Sequence, residues 1–344
     1  MKQRNVFFDF LRGSVICLVI LGHSIQFGSG AEYLDKGDFF EDIFFRMIYC
    51  FHMPIFMMIS GYFFSFSIKK NSFYQLIKNQ IMHLLPPIFL WGTWEYIALK
   101  LEDGFKTLSF REWGHDILYG LWFLWAIFYV SMVVSAVKYL FKDSLLIYFL
   151  GWMVMFVIPD IYNLQLYKFM YPYFVCSYLI GKNEEYLREK FRGKVVLVAC
   201  ASGIMTLALF PFFHFDTYIY TTGYCILDSI TPVRQLGIDI YRMTIGFSGS
   251  IFWSSILYLI YKKVNSKNIV IRMLSKLGYM AMGIYIVSGY LFQYSLKMLA
   301  KNFEQNYLLN LLETVVILGI SVMCTKVLMR FGVTNRFFLG GKNN

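Results

Sequence analysis

Three ionisable side chains stand where an apolar segment ought to exclude them. Asp9, Arg12 and His23 all fall in the first hydrophobic run, and an ionisable group at membrane depth is costly enough to count as a functional hypothesis. Their spacing adds to it. Arg12 and His23 are eleven residues apart. At about 100° per residue a helix brings them to within about 20° of one face, roughly 16 Å apart along the axis. Asp9 precedes Arg12 by three residues, the spacing of a helical ion pair. One face then carries a guanidinium suited to bidentate phosphate binding near a membrane surface. Deeper on the same face is an imidazole able to act as general base toward an alcohol. Plainer readings stand beside these: a snorkelling pair that sets topology, and a buried helix histidine bonded to a neighbour.

The elements that must position these groups are long apolar helices. The 344 residues are 58% hydrophobic and 15% charged, with a mean hydropathy of +0.54, whereas soluble domains run near 25% charged. Repeated apolar runs of about 20 residues predict an all-α, polytopic membrane helix bundle in a single integral-membrane domain, 1–344. Ten transmembrane helices are expected, near 6–28, 44–67, 81–100, 117–138, 144–159, 165–181, 195–213, 240–261, 278–298 and 307–329. Lys2 and Arg4 precede the first run, but Asp9 and Arg12 lie just before its core and no small-residue cleavage site follows. It therefore reads as a retained helix and not a signal peptide. The basic residues divide about two to one in favour of the side holding both termini, which is expected to be cytoplasmic. Acids lean the other way, as in the loop with Glu32, Asp35, Asp38, Glu41 and Asp42. This distribution accounts for the net charge of +11 without a nucleic-acid partner. Six scattered cysteines with no CxxC pair read as small apolar side chains. No Walker A, post-strand GxGxxG, HExxH or metal-ligand cluster is present, so no metal is expected.

Other polar residues offer further candidates. His52, in Phe51-His52-Met53-Pro54, belongs to the outer part of the second run and is a candidate for an external substrate. Pro54 is expected to kink that helix, and Ser60-Gly61 to permit close helix approach. Lys78 and His83 enter the third helix from the cytoplasmic flank and are candidates for an anionic ligand. Glu95 lies inside that helix beside Trp91 and Trp94 and is expected to face a polar interior. Trp122-Phe123-Leu124-Trp125 reads as an interfacial belt. Arg234 and Arg242 flank the outer end of the eighth helix and are candidates for an anionic sugar or head group, with a plain surface role equally open.

Asp9-xx-Arg12-Gly13 with ten residues between Arg12 and His23 resembles the opening of the membrane acyltransferase-3 family. Phe51 to Tyr62 resembles that family's second signature, and is especially similar to the branch related to fucose 4-O-acetylases. Leu121-Trp122-Phe123-Leu124 and Gly283-Ile284-Tyr285 also match family patterns. The resemblance implies a ten-helix bundle in a bacterial cell membrane that transfers an acetyl or other acyl group from cytoplasmic acetyl-CoA to a hydroxyl of a surface glycan or lipid-linked sugar. Arg12, with Lys78 and His83, would hold the donor's phosphates. His23, with Asp9, would be catalytic, either as general base or as transient acyl carrier. His52, Glu95, Arg234 and Arg242 would serve the acceptor. Two departures stand out. Many members have Arg-x-x-Arg where this chain reads Gln80-Ile81-Met82-His83, and many have a histidine where it has Val287-Ser288. With no esterase-like domain in view, acceptor handling is expected within the bundle.

Two other classes suit ten helices with buried charges: a transporter or flippase for a glycan or lipid-linked sugar, and a non-catalytic subunit of a glycan-synthesis complex. A transporter often shows paired broken helices in two related halves, and no matching halves are visible. A subunit would tolerate loss of both Arg12 and His23.

Overall fold

The computed structural model describes residues 5–28, 38–102, 104, 108–264, 268–293 and 306–341. Every regular element among the described residues is helical. In chain order the α-helices are α1 (Val6–Gly28), α2 (Ile43–Tyr49), α3 (His52–Lys70), α4 (Phe73–Glu102), α5 (Phe110–Tyr119), α6 (Trp122–Phe141) and α7 (Leu145–Met155). They continue as α8 (Leu164–Lys182), α9 (Glu184–Lys190), α10 (Val195–Leu209), α11 (Ile219–Thr222), α12 (Pro232–Lys263), α13 (Ile269–Tyr279) and α14 (Ala281–Leu291). A last long helix, Tyr307–Arg330, and a terminal helix, Gly332–Leu339, follow. The expected positions Lys2, Arg4, Glu32, Asp35 and 294–298 lie outside the described residues.

Among the described residues, six helical segments are long and apolar enough to cross a membrane, α2 and α3 counting together as one, and a seventh span arises if α13 and α14 count as one. The expected spans not among these correspond to α4, α7 and α8. α7 has only 11 residues, short of the ~20 that a bilayer core needs. α4 carries Lys78, His83, Glu95, Lys100 and Glu102, and α8 carries Lys168 and Lys182, which lower their apolar character.

Several elements differ from expectation for local reasons. The second run is two helices. α2 ends at Tyr49 with Cys50 as its C-cap, and α3 opens at His52. The break precedes Pro54, which sits in the first turn of α3, where a missing N–H costs no ladder bond. Asp42 starts α2 by accepting from the Phe45 N–H at 2.8 Å, an ordinary N-cap. The ninth run is also two helices, bent by 73° at Met280. The loop expected over 214–239 is partly helix, since α12 begins at Pro232, and α5 emerges from a mixed-charge loop on a Ser109 cap.

The chain forms two compact units. One comprises Met1–Ile59, Asn183–Thr222 and Ile238–Lys326; the other comprises Ser60–Lys182, Gly223–Gly237 and Val327–Asn344. In the first, α1 crosses α13 backbone to backbone. A Cβ on Gly13 would collide with the Leu274 carbonyl, and one on Gly278 with the Asp9 carbonyl. Only glycine admits such an approach, the small-residue packing that lipid-embedded helices favour. In the second, Gly61 packs against the Phe174 carbonyl and Ser177, as Ser60-Gly61 leads one to expect.

Candidate active site around His23

α1 supplies His23 from its C-terminal half and Asp9 and Arg12 from its first turns. His23 is half-buried among rings, with Phe27 at 5.8 Å, Phe292 at 5.5 Å and Tyr49, edge-on, at 6.0 Å between centroids. The Tyr49 hydroxyl lies 3.0 Å from His23 Nδ1 and donates to Gln26 Oε1 at 3.0 Å. Tyr49 is itself held. Its ring stacks on Phe45 at 3.9 Å and meets His52 at 4.6 Å.

The break between α2 and α3 sets this geometry. Tyr49 is the last residue of one helix and His52 the first of the next, so both rings project from the corner. His52 is buried, and its Nδ1 lies 2.9 Å from the Ile48 carbonyl. A carbonyl only accepts, so His52 Nδ1 carries the proton and Nε2 is its basic atom. The structure thus brings His23 and His52 against one tyrosine.

Asp9 and Arg12 form the predicted i,i+3 pair, Oδ1 to Nη1 at 3.5 Å. Asp9 is buried, whereas the Arg12 side chain keeps 28% of its surface exposed, open enough to take an anion. Asp9 precedes His23 by fourteen residues, about 21 Å of helix axis, so its pairing is with Arg12 and not with His23.

The remaining predicted residues are more dispersed. Arg242 is buried in the first unit, where Nη2 donates to Asp239 Oδ1 at 2.6 Å and to Thr222 Oγ1 at 3.2 Å. Arg234 is exposed and belongs to the second unit, as do Lys78, also exposed, and His83. His83 Nδ1 lies 2.7 Å from the Gly340 carbonyl, and Trp91 donates to the Phe338 carbonyl at 3.0 Å. Both hold the terminal helix against α4. Glu95 is half-buried and faces the Gly120 turn, its Oε2 3.3 Å from where a Cβ on that glycine would sit.

Sequence reasoning did not single out Tyr49 or Gln26. The signal was available, because Gln26 lies three residues after His23 and Tyr49 three before His52, but a tyrosine among 26 carries little weight. Lys168 was also passed over. It is buried at 2% exposure, pairs with Asp160, and donates to the Ile158 carbonyl at 2.6 Å. Among the described residues, no group of three or more His, Cys, Asp or Glu is placed to hold a metal ion.

An arginine at one end of α1 and a ring-lined histidine eleven residues further in are the arrangement whose sequence signature resembled an acyltransferase. The comparison with known proteins agrees. The chain matches the acyltransferase domain family over residues 5–330. It belongs to that family and is a membrane-bound O-acyltransferase. It is 26% identical over 308 residues to the nodulation protein NolL of Sinorhizobium fredii (strain NGR234), covering 85% of this chain and 79% of that one. It is 28% identical over 306 residues to the nodulation protein NolL of Mesorhizobium japonicum (strain MAFF 303099), covering 85% and 78%. No solved structure matches the chain. The apolar helices make it a membrane-spanning enzyme, and its family makes an acyl donor one of its substrates.

Proposed function

We propose that this acyltransferase moves an acetyl group from cytoplasmic acetyl-CoA to a hydroxyl of a glycan or lipid-linked sugar at the bacterial cell membrane, with Arg12 on the donor's phosphates and His23 as general base. The observation that carries this reading is the His23 setting: a half-buried imidazole held through Nδ1 by Tyr49 at 3.0 Å, eleven residues along α1 from a partly exposed guanidinium. The roughly 16 Å between them suits a donor whose phosphates and thioester lie at opposite ends of a long arm.

In the transfer, the acceptor hydroxyl gives its proton to His23 as its oxygen attacks the thioester carbonyl. The C–O bond forms, the C–S bond breaks, and the departing thiolate takes the proton back from the imidazolium. Direct transfer needs one histidine and no acyl-enzyme. Asp9 keeps Arg12 extended toward the phosphates. His52, also packed against Tyr49, would meet the acceptor. Lys78 and His83 are not needed for this reading, and His83 already holds the terminal helix.

Sealed membrane vesicles of known orientation test the donor and its side. With isotope-labelled acetyl-CoA added outside, inside-out vesicles should label the glycan fraction and right-side-out vesicles should not. Label from right-side-out vesicles alone would overturn the cytoplasmic donor. An unlabelled glycan, translocated intact, would point to the transporter reading.

A further inference from the structure

The contacts of His23 carry a consequence for where its proton sits. Tyr49 has one hydroxyl proton, and two acceptor-capable atoms lie 3.0 Å from that hydroxyl: Gln26 Oε1 and His23 Nδ1. An amide oxygen only accepts. With the Tyr49 proton on Gln26, the Tyr49 oxygen can meet His23 only by accepting, which places a proton on Nδ1. The opposite assignment, Tyr49 donating to Nδ1, leaves two oxygens facing each other at 3.0 Å with no proton between them. The first arrangement joins the three groups in a chain, Nδ1–H to Tyr49, Tyr49 O–H to Gln26 Oε1. In a site walled by Phe27, Phe292 and Phe45 an unsatisfied polar contact is expensive.

We infer that Tyr49 and Gln26 are positioning residues that hold His23 as the Nδ1–H tautomer, so that Nε2 is the nitrogen that takes the acceptor's proton. The inference rests on the reading of His23 as the base and names the atom. A free histidine side chain favours the opposite tautomer, so the local hydrogen bonds must enforce this one. The ring that delivers the Tyr49 hydroxyl is fixed by its stack on Phe45 and its edge contact with His52. The hydroxyl therefore does not have to be ordered during turnover. Once Nε2 is protonated, the same Nδ1–H bond to Tyr49 supports the imidazolium. If an acyl group ever rests on this histidine, it rests on Nε2.

The test is the nitrogen spectrum of the full-length enzyme, labelled with 15N-histidine in lipid nanodiscs, with the His23 signals assigned by their loss in His23→Asn. At neutral pH the wild type should show His23 protonated on Nδ1 and not on Nε2. Tyr49→Phe keeps the ring and its stack but removes the hydroxyl. It should shift His23 toward the Nε2–H form and lower kcat by about 10²-fold, the scale of a misplaced general base, with KM for the acyl donor within about twofold. Gln26→Glu, which still accepts from Tyr49, should keep the wild-type tautomer; Gln26→Leu should not. A wild-type spectrum with the proton on Nε2, or Tyr49→Phe with unchanged tautomer and kcat, overturns the inference. The spectrum reads His23 without reference to what is acylated. An inactive donor reading would leave it standing, and a wrong tautomer would leave the acyltransferase reading intact.

Discussion

The His23 pocket and the Asp160–Lys168 clamp are both buried polar clusters, and they are built on opposite principles. In the clamp, Asp160 pairs with Lys168, and its Oδ2 also accepts the backbone N–H groups of Tyr224 and Cys225 at 2.5 and 2.8 Å. Lys168 lies 5.7 Å from the centre of the Tyr224 ring. Each charge is answered by a charge, and the arrangement ties the end of α7 to α8 and to the chain before α12. The contacts of His23 are instead with neutral groups, Tyr49 and through it Gln26, and the charged pair of α1, Asp9 and Arg12, lies at the other end of the helix, where the Arg12 side chain keeps 28% exposure. A cluster that neutralises itself is architecture. A cluster that leaves one nitrogen with a defined protonation state is suited to chemistry.

Three substitutions press on that difference, taken from the largest effect to the smallest. Lys168→Met removes the cation of the clamp and leaves the half-buried Asp160 carboxylate with only its backbone N–H donors, a change that costs up to about 3 kcal/mol. It should lower the thermal midpoint of the detergent-solubilised enzyme sharply while the fraction that remains folded keeps its kcat. An unchanged midpoint would show that the clamp does not hold the fold.

Arg12→Ala acts on the other region. A charge-assisted contact to phosphate contributes about 1.5–3 kcal/mol, so KM for the acyl donor should rise roughly 10- to 100-fold with kcat little altered, and the thermal midpoint should fall by less than in Lys168→Met, because the 3.5 Å pairing with buried Asp9 is the looser one. A large loss of stability instead would make the Asp9–Arg12 pair another clamp.

The third concerns Asp143, at the α6–α7 turn. Burial pushes its carboxyl up, but hydrogen bonds from Lys182, Tyr178 and Tyr148, together with the Lys182 charge, outweigh that and hold it below its ordinary value of 3.8. A lowered folded value means the carboxylate contributes stability fully above the ordinary value and loses it as pH falls through the folded one. The gap in thermal midpoint between wild type and Asp143→Asn should stay constant from about pH 7 to 5 and close only below 3.8. A gap that closes near neutrality would contradict this.

Much of the architecture was legible because membrane helices announce themselves by length and hydropathy. Runs such as Trp122–Phe141 and Tyr307–Arg330 have few other solutions. What was not legible lay inside those runs. Nothing at Cys50-Phe51 breaks a helix by type, so the corner that delivers Tyr49 was attributed to Pro54, four residues too late. The 73° bend at Met280 likewise has no proline to mark it, and α5 was hidden in a loop of mixed charge. The same held for the site. The pattern of Asp9, Arg12 and His23 along one helix follows from 3.6 residues per turn. Tyr49 comes from another helix, and only tertiary packing brings its hydroxyl to His23. Lys168 was unremarkable because one lysine near the end of an apolar run reads as a snorkelling side chain, whereas here it turns inward to Asp160.

The central claim is that His23 performs the chemistry, and its removal tests it most directly. His23→Ala, expressed to the wild-type level in cells that lack the native copy, should leave the surface glycan without its acyl ester by mass and NMR analysis, a loss of at least about 10²- to 10⁴-fold in transfer. Glycan acylated at the wild-type rate by that variant would contradict the account.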